Sequence, residues 1–306
     1  MHRSGVVLSK IGGIHRVAID GEQVEARLRG KLKHGPSRIL VGDTVTMAIH
    51  DDGSITIERI EPRSSVLKRR SPGKKSGVTS VAANLDQVIV VGAAKDPRWD
   101  ARLMDRFVVV AEANDLPTIV VVNKADLVDD ASALAAPYEA AGYETVITSV
   151  TDARGIDELA MHLRAQVSLF TGPTGVGKSS LLNLLQPGLR LRTAPVSEKS
   201  RAGRHTTVAA EMHPLSDGGF VVDTPGLRDI GLWGIEPSEV ANAFPELRQR
   251  LGDCRFGDCR HLTEPGCAVQ AAANAGELNA SRLESYRALL REAIEAAPPW
   301  AGKGPE

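Results

Sequence analysis

The sequence predicts a multidomain α/β protein in three parts. Short β-rich stretches broken by glycine-containing turns fill residues 6–60, which suits a small barrel. From Asn84 onward, apolar runs alternate with helical stretches, as in a parallel sheet with crossover helices. Beyond Trp233 the strand-like runs stop and three cysteines cluster in one short segment. We therefore place the domain boundaries at residues 1–75, 76–234 and 235–306.

Composition and charge narrow the class of protein. Hydrophobic residues make up 42% and charged residues 25% of the 306 residues, which is ordinary for a globular protein. The apolar runs are too short to span a bilayer, and the N-terminus lacks the apolar core of a signal peptide, so we expect a cytoplasmic protein with no membrane partner. The formal net charge is −1, but residues 1–75 carry 15 Lys/Arg against 8 Asp/Glu. That basic part favours a nucleic-acid partner, with a solvated basic face as the alternative.

The N-terminal part is predicted to be an OB-type (oligonucleotide-binding) β-barrel, although other small barrels share its pattern. Its five predicted strands are Val6–Ser9, Arg16–Ile19, Val24–Leu28, Thr44–Ile49 and Ser54–Ile60. The basic segment Lys68–Gly77 contains Pro and Gly, which indicates a linker. It is either a solvated connector or a contact to RNA phosphates.

The central part is predicted to be a parallel sheet, because its apolar runs lack the polar alternation of half-exposed strands. The predicted strands are Gln87–Val91, Thr118–Val122, Thr145–Thr148, Val167–Phe170 and Phe220–Val222. The predicted helices are Ala101–Ala113, Ala131–Ala141, Gly155–Ala165 and Lys178–Leu185. In the C-terminal part, we expect helices over Pro237–Leu251 and Ser281–Ala296.

A phosphate-binding loop is predicted between the fourth central strand and the helix that follows it. Residues 172–179 match the pattern G-x-x-x-x-G-K-[ST], whose glycines let successive N–H groups face phosphates. The helix N-terminus adds its positive dipole. Lys178 would pair with β- and γ-phosphate oxygens, and the Ser179 hydroxyl would bind Mg²⁺. The residues expected to contact the nucleotide here are Gly172, Pro173, Thr174, Gly175, Val176, Gly177, Lys178, Ser179 and Ser180.

A base-reading motif, Asn-Lys-Ala-Asp, closes the strand Thr118–Val122. The Asp126 carboxylate can accept both the N1–H and the exocyclic amine of guanine, a donor pair that adenine lacks. Asn123 would bond the purine edge, and Lys124 would cover the base. Ser149, at the end of the next strand, would back the base with main-chain N–H groups together with Thr148. The motif therefore predicts GTP and GDP as ligands rather than ATP.

The third nucleotide motif, Asp223-Thr-Pro-Gly226, follows the last central strand. The Asp223 carboxylate can hold Mg²⁺ through water, and the Gly226 N–H can touch the γ-phosphate. Leu227 stands where many GTPases carry a glutamine that orients water, so intrinsic hydrolysis should be slow. In the preceding loop, Thr207 is our choice as a further Mg²⁺ ligand. His205 would position water in place of glutamine, with an exposed loop histidine as the alternative.

The three motifs run in an unusual order, because the base-reading motif precedes the phosphate-binding loop. A circular permutation of the usual GTPase order accounts for this. The cysteines and one histidine, spaced C-x₄-C-x-H-x₅-C, offer the four ligands of a closed tetrahedral zinc site. Such a site has no position for water, so we expect one structural Zn²⁺ per chain. Its ligands would be Cys254, Cys259, His261 and Cys267.

At this point the chain resembles a known family, the circularly permuted GTPases called RsgA or YjeQ, over nearly its whole length. The resemblance rests on residues 83–87, 123–126, 172–180, 203–207, 223–226 and 254–269. It implies an N-terminal OB-type β-barrel, a central circularly permuted P-loop GTPase and a C-terminal zinc-binding helical domain. The histidine of the family's loop falls on His205, and its zinc ligands fall on the four residues named above. The chain has almost none of the basic extension that often precedes the barrel in this family.

The resemblance also implies a partner. It predicts a monomeric GTPase that binds the small (30S) ribosomal subunit and its rRNA late in assembly, and that hydrolyses GTP with Mg²⁺ when the subunit stimulates it. Two alternatives stay open. One is an RNA-binding module that senses GTP with little catalysis, which Leu227 would permit. The other is a different P-loop nucleotide hydrolase or kinase, which the segment Asn123–Asp126 argues against.

Overall fold

A computed structural model describes residues 2–30, 38–70, 78–189, 210–223 and 235–296. The N-terminal strands form a closed barrel in the order β1-β2-β3-β5-β4. They are β1 His2–Ile11, β2 Ile14–Ile19, β3 Glu22–Leu28, β4 Thr44–Ile49 and β5 Ile55–Ile60. Strands β3 and β5 pair in parallel, and the other neighbours pair antiparallel. The predicted OB-type barrel and its five strands are confirmed.

Apolar side chains that alternate with exposed residues along the strands fill the barrel interior. In β2, His15, Val17 and Ile19 alternate as buried residues, whereas Arg16 between the first two is exposed. Gly5 in β1 is required by close packing, because a Cβ there would lie 2.6 Å from the Ala18 carbonyl oxygen. The barrel core is therefore specified by the alternation of buried and exposed residues along the strands and by the close packing of Gly5 against the Ala18 backbone.

The segment after the barrel departs from the prediction. Strands β6 (Val66–Arg70) and β7 (Val78–Ala83) form an antiparallel pair, so Lys68–Arg70 is strand rather than linker. The reason is that Leu67 and Ala82 are fully buried in the main core, which ties both strands down despite the basic residues around them. Residues 71–77 of the predicted linker lie outside the described residues.

The central sheet has six strands in the order β10-β9-β8-β11-β13-β12. They are β8 Gln87–Ala93, β9 Thr118–Asn123, β10 Glu144–Ile147, β11 Val167–Thr171, β12 Glu211–Pro214 and β13 Phe220–Asp223. All neighbours are parallel except the edge strand β12, which pairs antiparallel with β13. Every residue of β8 and β9 is buried, as the absence of polar alternation predicts. The antiparallel edge strand is not among the predicted elements.

Helices cover the sheet as predicted. They are α1 Ala101–Glu112, α2 Ser132–Glu139, α3 Ile156–Leu163 and α4 Lys178–Leu185, with a 3₁₀ turn at Ala125–Leu127. Side chains of the barrel, including Leu8 and Val41, share one buried cluster with Met212 and Val222 of the sheet. Within the described parts of the chain, no helix combines the length and apolarity needed to cross a membrane.

Residues 235–296 of the C-terminal part contain three helices, namely α5 Pro245–Arg248, α6 Ala268–Asn274 and α7 Ala280–Ala296. The last confirms the helix predicted over residues 281–296. The helix predicted over Pro237–Leu251 is reduced to one turn. Pro245 has no N–H to donate to the carbonyl of Ala241, and Phe244 before it is extended, so a helix cannot pass through this point.

The C-terminal part docks on α1 through a buried ion cluster. Arg282 of α7 is 1% exposed and donates to both Glu246 carboxylate oxygens, at 2.7 and 3.2 Å, and to Asp105 of α1. Its guanidinium also lies 4.7 Å from the centre of the Phe244 ring. Burial lowers the pKa of Arg282, but the two carboxylates more than offset this, so its pKa is raised and the group stays cationic.

Removing this cation should destabilise the protein strongly. We expect Arg282→Ala to cost about 3–5 kcal/mol, because it leaves the buried Asp105 and Glu246 without their counter-charge. The exposed Arg291 on the same helix is the matched control, and its alanine variant should change stability by less than about 0.5 kcal/mol. Urea unfolding followed by circular dichroism measures both. Equal midpoints for the two variants would contradict a stabilising role for the cluster.

Candidate nucleotide-binding site and metal centre

The phosphate-binding loop connects β11 to α4, as its sequence predicts. Gly172 has a φ of +135°, and a Cβ there would lie 2.0 Å from the Val91 carbonyl oxygen of β8. Gly177, directly before α4, has a φ of +97°, and its Cβ would lie 2.4 Å from Asn123 Nδ2. Both positions therefore exclude side chains sterically as well as conformationally. The loop consequently lies close against the two strands beside it.

The loop lysine is already turned toward the loop. Lys178 Nζ donates to the carbonyl oxygens of Gly172 and Pro173, at 2.7 Å each. Its ammonium thus lies within the curve of the backbone, where phosphate oxygens would compete for the same donors. Ser179 and Ser180 follow it in the first turn of α4, next to the helix N-terminus.

Asn123 connects the base-reading strand to the loop. Its side chain is buried, donates through Nδ2 to the Val176 carbonyl oxygen at 2.8 Å, and accepts at Oδ1 from the Thr148 hydroxyl at 3.0 Å. The sequence did not indicate this joining role, since it depends on the contact between β9 and the loop. The contact of Asn123 with the purine edge stays a prediction.

Asp126 lies exposed at the same edge of the sheet and is held as an ionised acceptor. Its carboxylate accepts from the Ser149 hydroxyl at 2.7 Å and from the Thr151 hydroxyl at 3.3 Å. The hydrogen bond from Ser149 is the main cause of a lowered pKa of Asp126, to which Thr151 and Arg154 also contribute. An ionised carboxylate at this position is suited to accept two N–H donors.

The prediction that Ser149 and Thr148 back the base through their main-chain N–H groups is wrong. The N–H groups of Thr148 and Ser149 donate within the protein, to the carbonyl oxygens of Val122 at 2.9 Å and Arg154 at 3.0 Å. They are therefore not presented to a base. Ser149 acts instead through its hydroxyl, which bonds the carboxylates of Asp126 and Asp152.

The remaining predicted nucleotide residues lie around the same edge. Lys124 has a left-handed backbone, and its Nζ donates to the Asp96 carbonyl oxygen. Asp223 ends β13 and is in register with Phe170 of β11, one residue before the strand turns into the loop. Asn123, the phosphate-binding loop and Asp223 thus lie where strands β9, β11 and β13 end. The predicted His205, Thr207, Gly226 and Leu227 lie outside the described residues.

The four predicted metal ligands converge in the C-terminal part. Their ligand atoms all lie within 4.8 Å of one another. His261 Nδ1 lies 3.5 Å from Cys254 Sγ, 3.6 Å from Cys259 Sγ and 3.4 Å from Cys267 Sγ, and the Sγ atoms of Cys254 and Cys267 are 3.9 Å apart. Tetrahedral zinc requires about 3.6 Å between nitrogen and sulfur and about 3.8 Å between sulfurs. The donor set therefore fits zinc.

Backbone donors surround the sulfurs. The Ala268 N–H lies 3.3 Å from Cys254 Sγ, and the Gln270 N–H lies 3.4 Å from Cys267 Sγ, both from the first turn of α6. Such donors stabilise thiolate charge and fix ligand orientation. Cys267 itself is buried in the same cluster as Phe244 and Tyr286, so the metal site is continuous with the C-terminal core.

The fold and the site together define a class. A phosphate-binding loop preceded in the chain by its base-reading motif, on a parallel sheet between a barrel and a zinc-binding part, is a circularly permuted GTPase, an enzyme that hydrolyses GTP.

The particular family follows from comparison with known proteins. The model of the RsgA GTPase family matches residues 60–233, and that of the RsgA N-terminal domain matches residues 4–57. The chain belongs to the RsgA GTPase family. It is 50% identical over 297 residues to the small ribosomal subunit biogenesis GTPase RsgA of Gemmatimonas aurantiaca, covering 94% of this chain and 97% of the relative. It is 42% identical over 291 residues to the protein of the same name from Moorella thermoacetica, covering 95% and 97%.

Solved structures agree with this assignment. The crystal structure of YjeQ from Thermotoga maritima superposes with a TM-score of 0.79 at 35% identity, covering 96% of this chain and 99% of that one. YloQ, a circularly permuted GTPase, superposes with a TM-score of 0.77 at 28% identity, covering 98% of each chain.

Proposed function

We propose that this protein binds the small ribosomal subunit and its rRNA during late assembly, and hydrolyses GTP to GDP and phosphate when the subunit stimulates it. The observation that carries the proposal is the meeting of the phosphate-binding loop and the ionised Asp126 at one edge of the sheet, joined by the buried Asn123. The relatives named as small ribosomal subunit biogenesis GTPases supply the partner. Such a factor would act in the cytoplasm as a monomer.

Guanine recognition is assigned to the ends of β9 and β10. The Asp126 carboxylate accepts the base N1–H and exocyclic amine, while Ser149 holds that carboxylate in place. Lys124 covers the base, and Asn123 fixes the loop relative to it. Adenine offers an acceptor where guanine offers N1–H, so an ionised carboxylate at this position repels it.

Hydrolysis is assigned to the loop and the end of β13. Lys178 neutralises charge on the β- and γ-phosphates, and loop N–H groups orient them for in-line attack by water. Mg²⁺, which would be held by Ser179, Thr207 and Asp223, supplies charge neutralisation between those phosphates. Water attacks the γ-phosphorus, and the bond to the β–γ bridging oxygen breaks to leave GDP and phosphate. His205 is the residue we assign to positioning that water.

A structural zinc and a three-domain division complete the proposal. One Zn²⁺ bound by the three cysteines and His261 would leave no open ligand position, so its role is to hold the C-terminal part together. The proposed domains are residues 1–75, 76–234 and 235–306. The basic surplus of the first supports RNA as its partner.

GTP turnover with and without small ribosomal subunits tests the function. We expect slow turnover by the protein alone and at least about ten-fold stimulation by small subunits, which corresponds to about 1.4 kcal/mol of transition-state stabilisation. Large subunits should not stimulate, and Lys178→Ala should remove turnover in every condition. Unstimulated turnover with stoichiometric binding to the small subunit would contradict a subunit-triggered GTPase.

A further inference from the structure

The edge ribbon of the sheet, strands β12 and β13, lies against the barrel. Met212 of β12 is paired in register with Val222 of β13, and both belong to the same buried cluster as Leu8 and Val41 of the barrel. Met212 is 3% exposed and the other three are 6% exposed or less. Strand β12 also packs directly against β1. The ribbon therefore shares a buried apolar cluster with the barrel.

The barrel turn at Gly42, which contacts the ribbon, is tightly packed. Gly42 has a φ of +89°, and a Cβ there would lie 2.0 Å from the Ala83 carbonyl oxygen and 3.2 Å from Met212 Cε. Its N–H donates to the Val7 carbonyl oxygen at 2.8 Å, and its own carbonyl accepts from Asn84 Nδ2 at 2.9 Å. A closely packed contact of this kind transmits displacement, because it can shift only as a unit.

The same ribbon carries a predicted Mg²⁺ ligand. Asp223 ends β13 one residue after Val222, and it pairs across the ribbon with Glu211. A movement of Met212 and Val222 relative to the barrel therefore moves the Asp223 backbone, while Phe170 beside it fixes the loop strand.

We propose that the β12–β13 ribbon couples the barrel to the nucleotide site, so that RNA of the small subunit bound to the barrel controls hydrolysis through Met212. This inference rests on the proposed function and adds its route of regulation. Linkage makes the coupling reciprocal for binding, so the nucleotide state must also alter the barrel turn. The apolar contact gives the signal a path from the barrel to the strand that ends in Asp223.

Two matched variants test the route. Met212→Ala removes the side chain that bridges turn and ribbon, and should lower small-subunit stimulation by about five-fold or more, the smallest effect typical of coupled sites. Basal turnover, GTP affinity and small-subunit affinity should stay within about two-fold of the unmodified protein. Met104→Ala is the control, because Met104 is equally buried in the same cluster but lies on α1. It should keep full stimulation.

Hydrogen exchange on the unmodified protein supplies a second measurement that needs no variant. The amides of Gly42 and Ala83 should exchange at rates that differ by about five-fold or more between a GTP analogue with Mg²⁺ and GDP. Full stimulation of Met212→Ala, or its loss together with small-subunit binding, would overturn the route. If the unmodified protein is not stimulated but these amides respond to the nucleotide, the coupling stands and the subunit as trigger fails.

Discussion

Removal of the metal is expected to unfold the C-terminal part of the chain while the barrel and the central sheet stay folded. Helices α5 and α6 are 4 and 7 residues long, too short to persist alone. Their core includes the ligand Cys267 itself, beside Phe244 and Tyr286. Zinc binding by such ligand sets contributes about 10–16 kcal/mol, which is comparable to the whole stability of a small domain.

Hydrogen exchange before and after treatment with a chelator measures this effect. Amides of α6 and α7 should exchange more than about a hundred-fold faster without metal, as in a locally unfolded region. Cys259→Ser should reproduce this without chelator, whereas His50→Ala removes an exposed imidazole of the barrel and should change nothing. Unchanged protection of α6 after complete loss of metal would show that packing alone holds this part together. Metal analysis of the untreated protein should give one zinc per chain.

Replacement of the Asp126 carboxylate by an amide should reverse the base preference of the site. In Asp126→Asn, the side chain keeps one acceptor for the base N1–H but presents an N–H₂ where guanine also presents one. Xanthine carries a carbonyl oxygen at that position and would accept the new donor. We expect affinity for GDP to fall by about a hundred-fold or more and affinity for xanthosine diphosphate to rise, since unpaired donors in a hydrogen-bonding site are costly.

Calorimetric titration of both nucleotides measures the reversal. Asp129→Asn is the matched control, because it makes the same change at an exposed residue of the same loop and should leave both affinities unaltered. Ser149→Ala should weaken binding of GDP without reversing the preference, because it loosens the carboxylate but keeps its charge. Equal loss of both diphosphates in Asp126→Asn would indicate that the loop has collapsed rather than changed its specificity.

Local patterns were sufficient to predict most of the fold. The five barrel strands follow from alternation, and the buried strands Gln87–Ala93 and Thr118–Asn123 follow from the lack of it. The metal ligands were predicted from spacing alone, since four donors within one short segment have few other uses. In each case, the residues that determine the structure are neighbours in the chain.

What the sequence did not reveal depends on contacts between distant segments. Arg282 meets Asp105 across 177 positions, and no local pattern marks a buried arginine on an amphipathic helix. The edge strand Glu211–Pro214 is four residues long and gains its stability from the barrel surface. The predicted use of the Ser149 main-chain N–H for the base was wrong, because that N–H is already bonded to the Arg154 carbonyl oxygen.

The core shared by barrel and sheet has a consequence for synthesis of the chain. The barrel strands leave the ribosome first, but Met212, which belongs to the same buried cluster as Leu8 and Val41, is made about 170 residues after Val41. At about 5–20 residues per second, this part of the cluster is incomplete for roughly 10–30 seconds. The nascent barrel must therefore stay soluble while this apolar part is exposed to water. Its outer polar residues have to provide that solubility during synthesis, although the folded protein no longer exposes the apolar part.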